Sequence, residues 1–135
     1  MEKAINLEDN DMCYACGKNN TKGLHLEFSF DKQEQCIETT FVPSDDYQGW
    51  QGVVHGGIIA TLMDECMAKL AQFLGYRVVT ASLNMRFKDV AKTGEPLSVR
   101  GEITKLSKKL IYAKAATRGE DGKVVAEAQA KLMVV

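Results

Sequence analysis

Val54-His55-Gly56-Gly57-Ile58-Ile59-Ala60-Thr61-Leu62-Met63-Asp64-Glu65-Cys66-Met67-Ala68-Lys69-Leu70-Ala71-Gln72-Phe73-Leu74-Gly75 is the stretch that decides the fold. From Gly56 to Leu74 it reads as one helix, stopped by Gly75. At roughly 100° per residue, Ile59, Leu62, Met63, Cys66, Leu70, Phe73 and Leu74 fall on one broad apolar face. Thr61, Glu65, Lys69 and Gln72 gather on a narrow polar face, where Glu65 and Lys69 have the i,i+4 spacing of an ion pair. A third stripe carries small residues, Gly57, Ala60, Ala68 and Ala71, with Asp64 in its middle. Glu65 therefore reads as part of a solvated face. Asp64 has two readings on the wheel alone: a surface aspartate at a helix edge, or a functional carboxylate left open to close approach.

Outward from this helix the sequence changes period. Upstream, Leu24, Leu26, Phe28 and Phe30 alternate with His25, Glu27 and Ser29, a strand pattern. Cys36 to Val42 reads as its hairpin partner, ended by Pro43-Ser44-Asp45-Asp46. Downstream, Val79 to Phe87 alternates strictly and puts Ala81, Leu83, Met85 and Phe87 on one face. Thr93-Gly94-Glu95-Pro96 is turn chemistry before a strand over Leu97 to Leu106. Leu110 to Arg118 follows, and Gly119-Glu120-Asp121-Gly122-Lys123 turns into a last strand, Val124 to Val135. Two strands, one long helix and four strands predict an α+β layout, an antiparallel sheet wrapped around a single helix. Residues 1–22, with Cys13-Tyr14-Ala15-Cys16-Gly17 and Asn19-Asn20-Thr21-Lys22-Gly23, read as an irregular segment.

The chain's 135 residues fit one domain and leave little room for a second. A chain of this size buries about two thirds of its unfolded surface and holds a core without staples. A net charge of −1 with no dense basic block argues against a nucleic-acid partner. The apolar run over 58–74 is broken by Thr61, Asp64, Glu65, Lys69 and Gln72, so it does not read as a membrane span. Met1 to Asp9 lacks the apolar run of a signal peptide, which points to the cytoplasm and to reduced thiols at Cys13, Cys16, Cys36 and Cys66.

Gly56 and Gly57 open the helix with amides that have no intrahelical acceptor, and glycine lets a ligand approach the backbone closely. Such a terminus can hold a developing oxyanion. Asp64 lies a little over two turns further on, about 10 Å by helical rise, too far to act on the same carbonyl. A symmetric dimer, with the helix start of one subunit facing Asp64 of the other, resolves the geometry.

Gly52-Val53-Val54-His55-Gly56-Gly57 through Asp64 resembles the signature of the hotdog-fold thioesterases related to the phenylacetate-pathway enzyme and the human thioesterase-superfamily proteins. The resemblance continues through Val79-Thr80-Ala81-Ser82-Leu83-Asn84-Met85-Arg86-Phe87. Cys13-x-x-Cys16-Gly17 with Gly23-Leu24 is similar to one bacterial branch. It implies a six-stranded antiparallel sheet curled around the helix, a homodimer or homotetramer, and hydrolysis of acyl-CoA thioesters at sites shared between subunits, without a cofactor. Carried over by position, the Gly57 amide polarises the carbonyl, and Asp64 of the partner chain is general base or nucleophile. Thr80 positions the attacking water, His55 holds the loop, and Gly56, Asn84 and Arg86 are substrate-binding candidates. One departure stands out: many relatives carry Asn about six residues before the histidine, where this chain has Gly49, flanked by Gln48 and Gln51.

Other candidates have plainer readings. Cys13 and Cys16 supply half of a zinc ligand set, but completing it needs some of His25, Cys36 and His55, at no recognisable spacing. The pair is read as a packed turn, with no metal assigned. His55 alone is a capped loop histidine. Cys66 falls in the core. Arg86, Lys88, Arg100, Lys105, Lys108 and Lys109 either meet coenzyme A phosphates or form a solvated face. Two rival functions are a hydratase or dehydratase of the same fold and a non-catalytic acyl-CoA-binding module.

Overall fold

The computed structural model describes residues 7–135. The first six residues, on which part of the reading of the N-terminus rests, lie outside the described residues. The central helix, α1, spans Gly56–Phe73. The strands are β1 Ser29–Asp31, β2 Cys36–Phe41, β3 Val78–Phe87, β4 Leu97–Leu106, β5 Leu110–Arg118 and β6 Val124–Val134, and all but β1 follow the sequence reading closely. They form one antiparallel sheet in the order β1-β2-β4-β5-β6-β3. Among the described residues no helix is long and apolar enough to cross a membrane.

Packing follows from a division of labour between large and small side chains. Ile59, Leu62, Met63, Cys66, Met67 and Leu70 of α1 are buried. Each of the larger ones contributes about 1.5–3 kcal/mol by leaving water. Opposite them, the helix-facing positions of β5 and β6 carry Ala113, Ala115, Ala126, Ala128 and Ala130, all buried. That shallow floor lets the sheet close on the helix. Gly101 of β4 leaves little room for a side chain, since an added Cβ would lie 3.0 Å from Ile37 Cγ2 and 3.7 Å from Cys66 Cβ of the helix. At the helix end, Gly75 adopts φ +100°, a conformation that side chains disfavour. Its N–H donates to Gln72 O at 2.9 Å and Tyr76 N–H to Ala71 O at 3.0 Å, so the last carbonyls are satisfied and the helix stops.

Three expectations need correction. The strand expected from Leu24 enters the sheet only at Ser29. His25 has φ +54°, and the amides of Leu24 and Leu26 donate to Tyr14 O and Ala15 O, at 2.8 and 2.9 Å, instead of to a strand. Alternation still gave the right faces: Leu24 and Leu26 are buried while His25 and Glu27 are exposed. The face expected over Ala81, Leu83, Met85 and Phe87 is broken by a bulge between Thr80 and Ser82 that drops Ala81 from the register. Because β3 is an edge strand, Leu83 and Phe87 remain exposed and only Met85 is half-buried. Within the helix, Ala71 of the small-residue stripe is fully buried, and Met67 joins the core unexpectedly. Phe73, expected in the core, is exposed and stacks on Phe30 with centroids 4.0 Å apart.

Candidate active site

His55 caps α1. Its backbone is extended, its N–H donates to Tyr47 O at 2.8 Å, and its Nδ1 accepts from Gly57 N–H at 2.9 Å. The amide singled out as a carbonyl donor is therefore held by a side chain two residues before it. Any other acceptor that approaches the Gly57 N–H has to compete with His55 Nδ1 for it. Gly56 is bare on its outer side except for the Phe87 ring, 3.4 Å from where a Cβ would sit.

The loop before His55 is tied down on both sides. Gly49 N–H donates to Val53 O and Val54 N–H to Ala91 O, each at 2.8 Å. Gln48 Oε1 accepts from Gly52 N–H at 3.0 Å, so this amide side chain serves its own loop. A Cβ at Gly49 would stand 3.6 Å from His55 Cα and Cδ2, ordinary contact. Gly49, where the resemblance led to the expectation of an Asn, thus faces His55 and has room for a side chain. Trp50, Phe87 and Val90, which the sequence reading did not single out, rim a recess of about 560 Å³ at the helix start, with His55, Gly56 and Ile59 in its wall. Trp50 is 85% exposed, Phe87 54% and Val90 62%, an apolar rim left open in the single chain. The signal for it was available in one place: Phe87 closes the alternating apolar set of β3 at the exposed edge.

Asp64 and Thr80 meet. Thr80 Oγ1 donates to Asp64 Oδ1 at 2.6 Å, across sixteen residues of sequence. Thr80 pairs in register with the buried Leu132, which fixes it on the helix-facing side of β3. Asp64 is half-buried and Thr80 is exposed. With its proton committed to the carboxylate, the threonine oxygen keeps its lone pairs for a water. The helix is continuous from Gly57 to Asp64, so by helical rise the two remain about 10 Å apart along one chain.

Asn84 and Arg86 stand elsewhere. They pair with Gln129 and Glu127 and line a groove on the outer face of the sheet, away from α1. Of the candidate phosphate-binding cations, Arg100 is paired with Glu38 at 2.6 Å and Lys88 with Glu127 at 3.3 Å. Lys105 lies over the Tyr112 ring, 5.6 Å from its centroid. Glu65 does not pair with Lys69; it turns to the N-terminal turn, where Cys13 Sγ donates to Glu65 Oε1 at 3.8 Å. Burial pushes the Cys66 thiol up to about 12, with Glu65 adding to it. Of the three residues weighed as further ligands for Cys13 and Cys16, none joins them. His25 Nε2 lies 2.6 Å from Asn20 O, Cys36 is buried in β2, and His55 caps the helix.

Known proteins resemble the chain in sequence and in fold. The family model described as Thioesterase superfamily matches residues 51–126. Acyl-coenzyme A thioesterase THEM5 of Homo sapiens is 30% identical over 110 residues, covering 82% of this chain and 44% of that protein. The chain thus spans less than half the length of this curated relative. A phenylacetic acid degradation-related protein of Ralstonia eutropha superposes with a TM-score of 0.76 at 26% identity, over 82% of this chain and 86% of that one. The smu.793 protein of Streptococcus mutans, solved with acetyl CoA, gives a TM-score of 0.76 at 21% identity, over 82% and 88% of the two chains. With a six-stranded antiparallel sheet around one long helix and a family match that takes in the His55-Gly56-Gly57 turn, Asp64 and Thr80, the chain belongs to the thioesterase superfamily and has the hotdog fold.

Proposed function

We propose that this protein hydrolyses an acyl-CoA thioester to the free acid and coenzyme A, at a site assembled from two copies of the chain. The Gly57 amide of one copy, at the positive end of α1, polarises the thioester carbonyl. Asp64 of the other copy acts as general base or nucleophile, and its Thr80 orients the water. The observation that carries the reading is the 2.6 Å bond between Thr80 and Asp64, held at a free sheet edge. A carboxylate and a hydroxyl bound to each other, both open to water, form a water-activating pair. Along α1 the Gly57 amide lies about 10 Å from this pair by helical rise, too far to serve the same carbonyl within one chain.

The exposed edge also supports the assembly. β3, ten residues long, pairs with β6 on one side alone among the described residues, so the backbone groups of alternate residues face outward on the other. Such an edge is an aggregation liability unless another element covers it. A second copy laid antiparallel along β3 covers the edge and carries its own Asp64 and Thr80 towards the neighbouring helix start. The same contact shelters Trp50, Phe87 and Val90. A homodimer is the smallest assembly that meets these needs, and a homotetramer doubles it. A cytoplasmic location belongs to the same proposal, because four free thiols suit a reducing compartment.

Incubation with a panel of acyl-CoAs and a thiol reagent tests the reaction. Free coenzyme A should appear with at least one acyl class, and Asp64→Asn should slow its release by about 100-fold or more. Binding without release would instead support a non-catalytic acyl-CoA module. Release unaffected by Asp64→Asn would remove the carboxylate from the chemistry.

A further inference from the structure

Of the chain before the first strand, residues 7–28 are described; they are irregular and are tied by backbone hydrogen bonds. Gly17 N–H donates to Cys13 O at 2.8 Å, closing the turn between the two cysteines. A Cβ on Gly17 would stand 2.4 Å from Cys13 N and 2.6 Å from Asp11 O, so the turn admits only glycine. Asn19 N–H donates to Asp11 O at 2.9 Å, and the amides of Leu24 and Leu26 tie the next stretch to Tyr14 and Ala15. The backbone thereby fixes the turn that carries both cysteines, and their sulfurs lie against the middle of α1. There Glu65 brings a carboxylate: one ligand atom from each of Cys13, Cys16 and Glu65 lies within 4.8 Å of the others.

We propose that Cys13, Cys16 and Glu65 bind one zinc ion, with a water in the fourth position. The proposal does not rest on the thioesterase reading. Zinc bonds of about 2.3 Å to sulfur and about 2.0 Å to oxygen give tetrahedral edges of roughly 3.8 Å between sulfurs and roughly 3.5 Å from sulfur to oxygen. The Cys13-to-Glu65 separation of 3.8 Å is close to that edge already, and no pair in the cluster, all within 4.8 Å, needs to contract by more than about 1.3 Å. Two thiolates select a soft or borderline ion, while magnesium and calcium take oxygen ligands. Two cysteines with two residues between them are the usual first half of such a site; here the third ligand comes from a helix, fifty-two residues after Cys13.

Charge and access fit as well. Binding expels one proton from each thiol, so the ion with two thiolates and one carboxylate carries a net charge of −1. Lys69, one turn after Glu65 on α1, lines the same cleft and supplies the compensating charge. That cleft opens to solvent past Met12, Gln72 and Tyr76, which leaves a way in for the ion and its water. Once bound, the ion clamps the N-terminal segment to α1 at the residue next to Asp64. Its role is to hold the helix that carries the carboxylate.

The test uses the whole protein, kept reduced, stripped with a chelator and titrated with cobalt(II) and then zinc(II). One equivalent of cobalt per chain should give thiolate-to-metal charge-transfer absorption and the visible bands of a tetrahedral site. Zinc should displace it, and should raise the thermal unfolding midpoint. Replacing both Cys13 and Cys16 by serine should abolish the charge-transfer band, while Cys36→Ser should leave it. Glu65→Gln should weaken zinc binding by about 10- to 100-fold, as measured against a chromophoric chelator. Wild-type protein that takes up no zinc at micromolar concentration would overturn the site whatever the variants do. A charge-transfer band that survives in the double serine variant would also overturn it, and unchanged zinc affinity in Glu65→Gln would remove the carboxylate ligand.

Discussion

Two dead variants should revive each other when mixed, if the site is shared. Asp64→Asn removes the carboxylate that Thr80 holds at 2.6 Å. Gly57→Leu fills the approach to the helix amide; even a methyl group there would sit 3.1 Å from His55 Nδ1, and a larger side chain displaces the ring. The seven helical steps from one position to the other put them about 10 Å apart along one helix, against the roughly 3 Å that a base needs to reach its proton. Each pure variant therefore has two broken sites and about 1% or less of wild-type turnover. A mixed dimer gathers both lesions into one site and leaves the other whole. Random exchange makes half of the dimers mixed, each with one working site, so the mixture should recover about a quarter of the wild-type rate. A quarter against one per cent is an easy distinction by coenzyme A release. Subunit exchange has to be demonstrated separately, for example with two differently tagged chains. Absence of recovery despite exchange would refute the shared site, and with it the assignment of Gly57 and Asp64 to opposite sides of one substrate.

Thr80→Val keeps the shape of the β3 side chain and deletes the hydroxyl, so kcat should fall by roughly 10-fold or more with a modest change in KM. Undiminished kcat on the best substrate would exclude water positioning by Thr80. Thr117 is fully buried and its Oγ1 is the one buried side-chain oxygen among the described residues without a partner. Thr117→Val should raise stability by about 1 kcal/mol, read as a higher urea midpoint at unchanged slope, and a fall would show that the hydroxyl has a use. The Cys66 thiol, held neutral by burial with its pKa at about 12 against an ordinary 9.0, sets an alkaline limit. The unfolded chain ionises this thiol first, so its contribution is complete below pH 9 and is lost as pH rises towards 12. Cys66→Ala should flatten that alkaline decline in stability, and an identical decline would place its cause in other groups.

How much of this was legible beforehand depended on whether a residue's role was local. The helix bounds came from two local signals, glycines after His55 and glycine at position 75, and both hold in three dimensions. Strand periods gave β2 to β6 within a residue or two at each end, because alternation reports burial and burial follows the sheet. Leu24 to Phe30 shows the limit: its alternation was real, but the backbone partner turned out to be the N-terminal turn, and side-chain pattern carries no information on where an amide donates. The candidate site divides the same way. Asp64 stood out on the wheel because its neighbours are small, and the structure supplied a partner, Thr80, that no spacing rule connects to it. Glu65, one residue on, was assigned to solvent by the same wheel, since a wheel assumes that whatever lies off the apolar face meets water. A polar face can also be covered by a distant irregular segment, as Cys13 and Cys16 cover this one. The pair Asp64 and Glu65 thus looks out on two different surroundings from a single turn of helix, one towards the open sheet edge and one towards the N-terminal turn. Any constraint that fixes the second residue steadies the first. A helix anchored at Glu65 presents Asp64 with less angular freedom, and a water-activating carboxylate is useful only when its lone pair is aimed. Residues with nothing in common in sequence, the cysteine turn and the edge-strand threonine, are joined through one turn of α1.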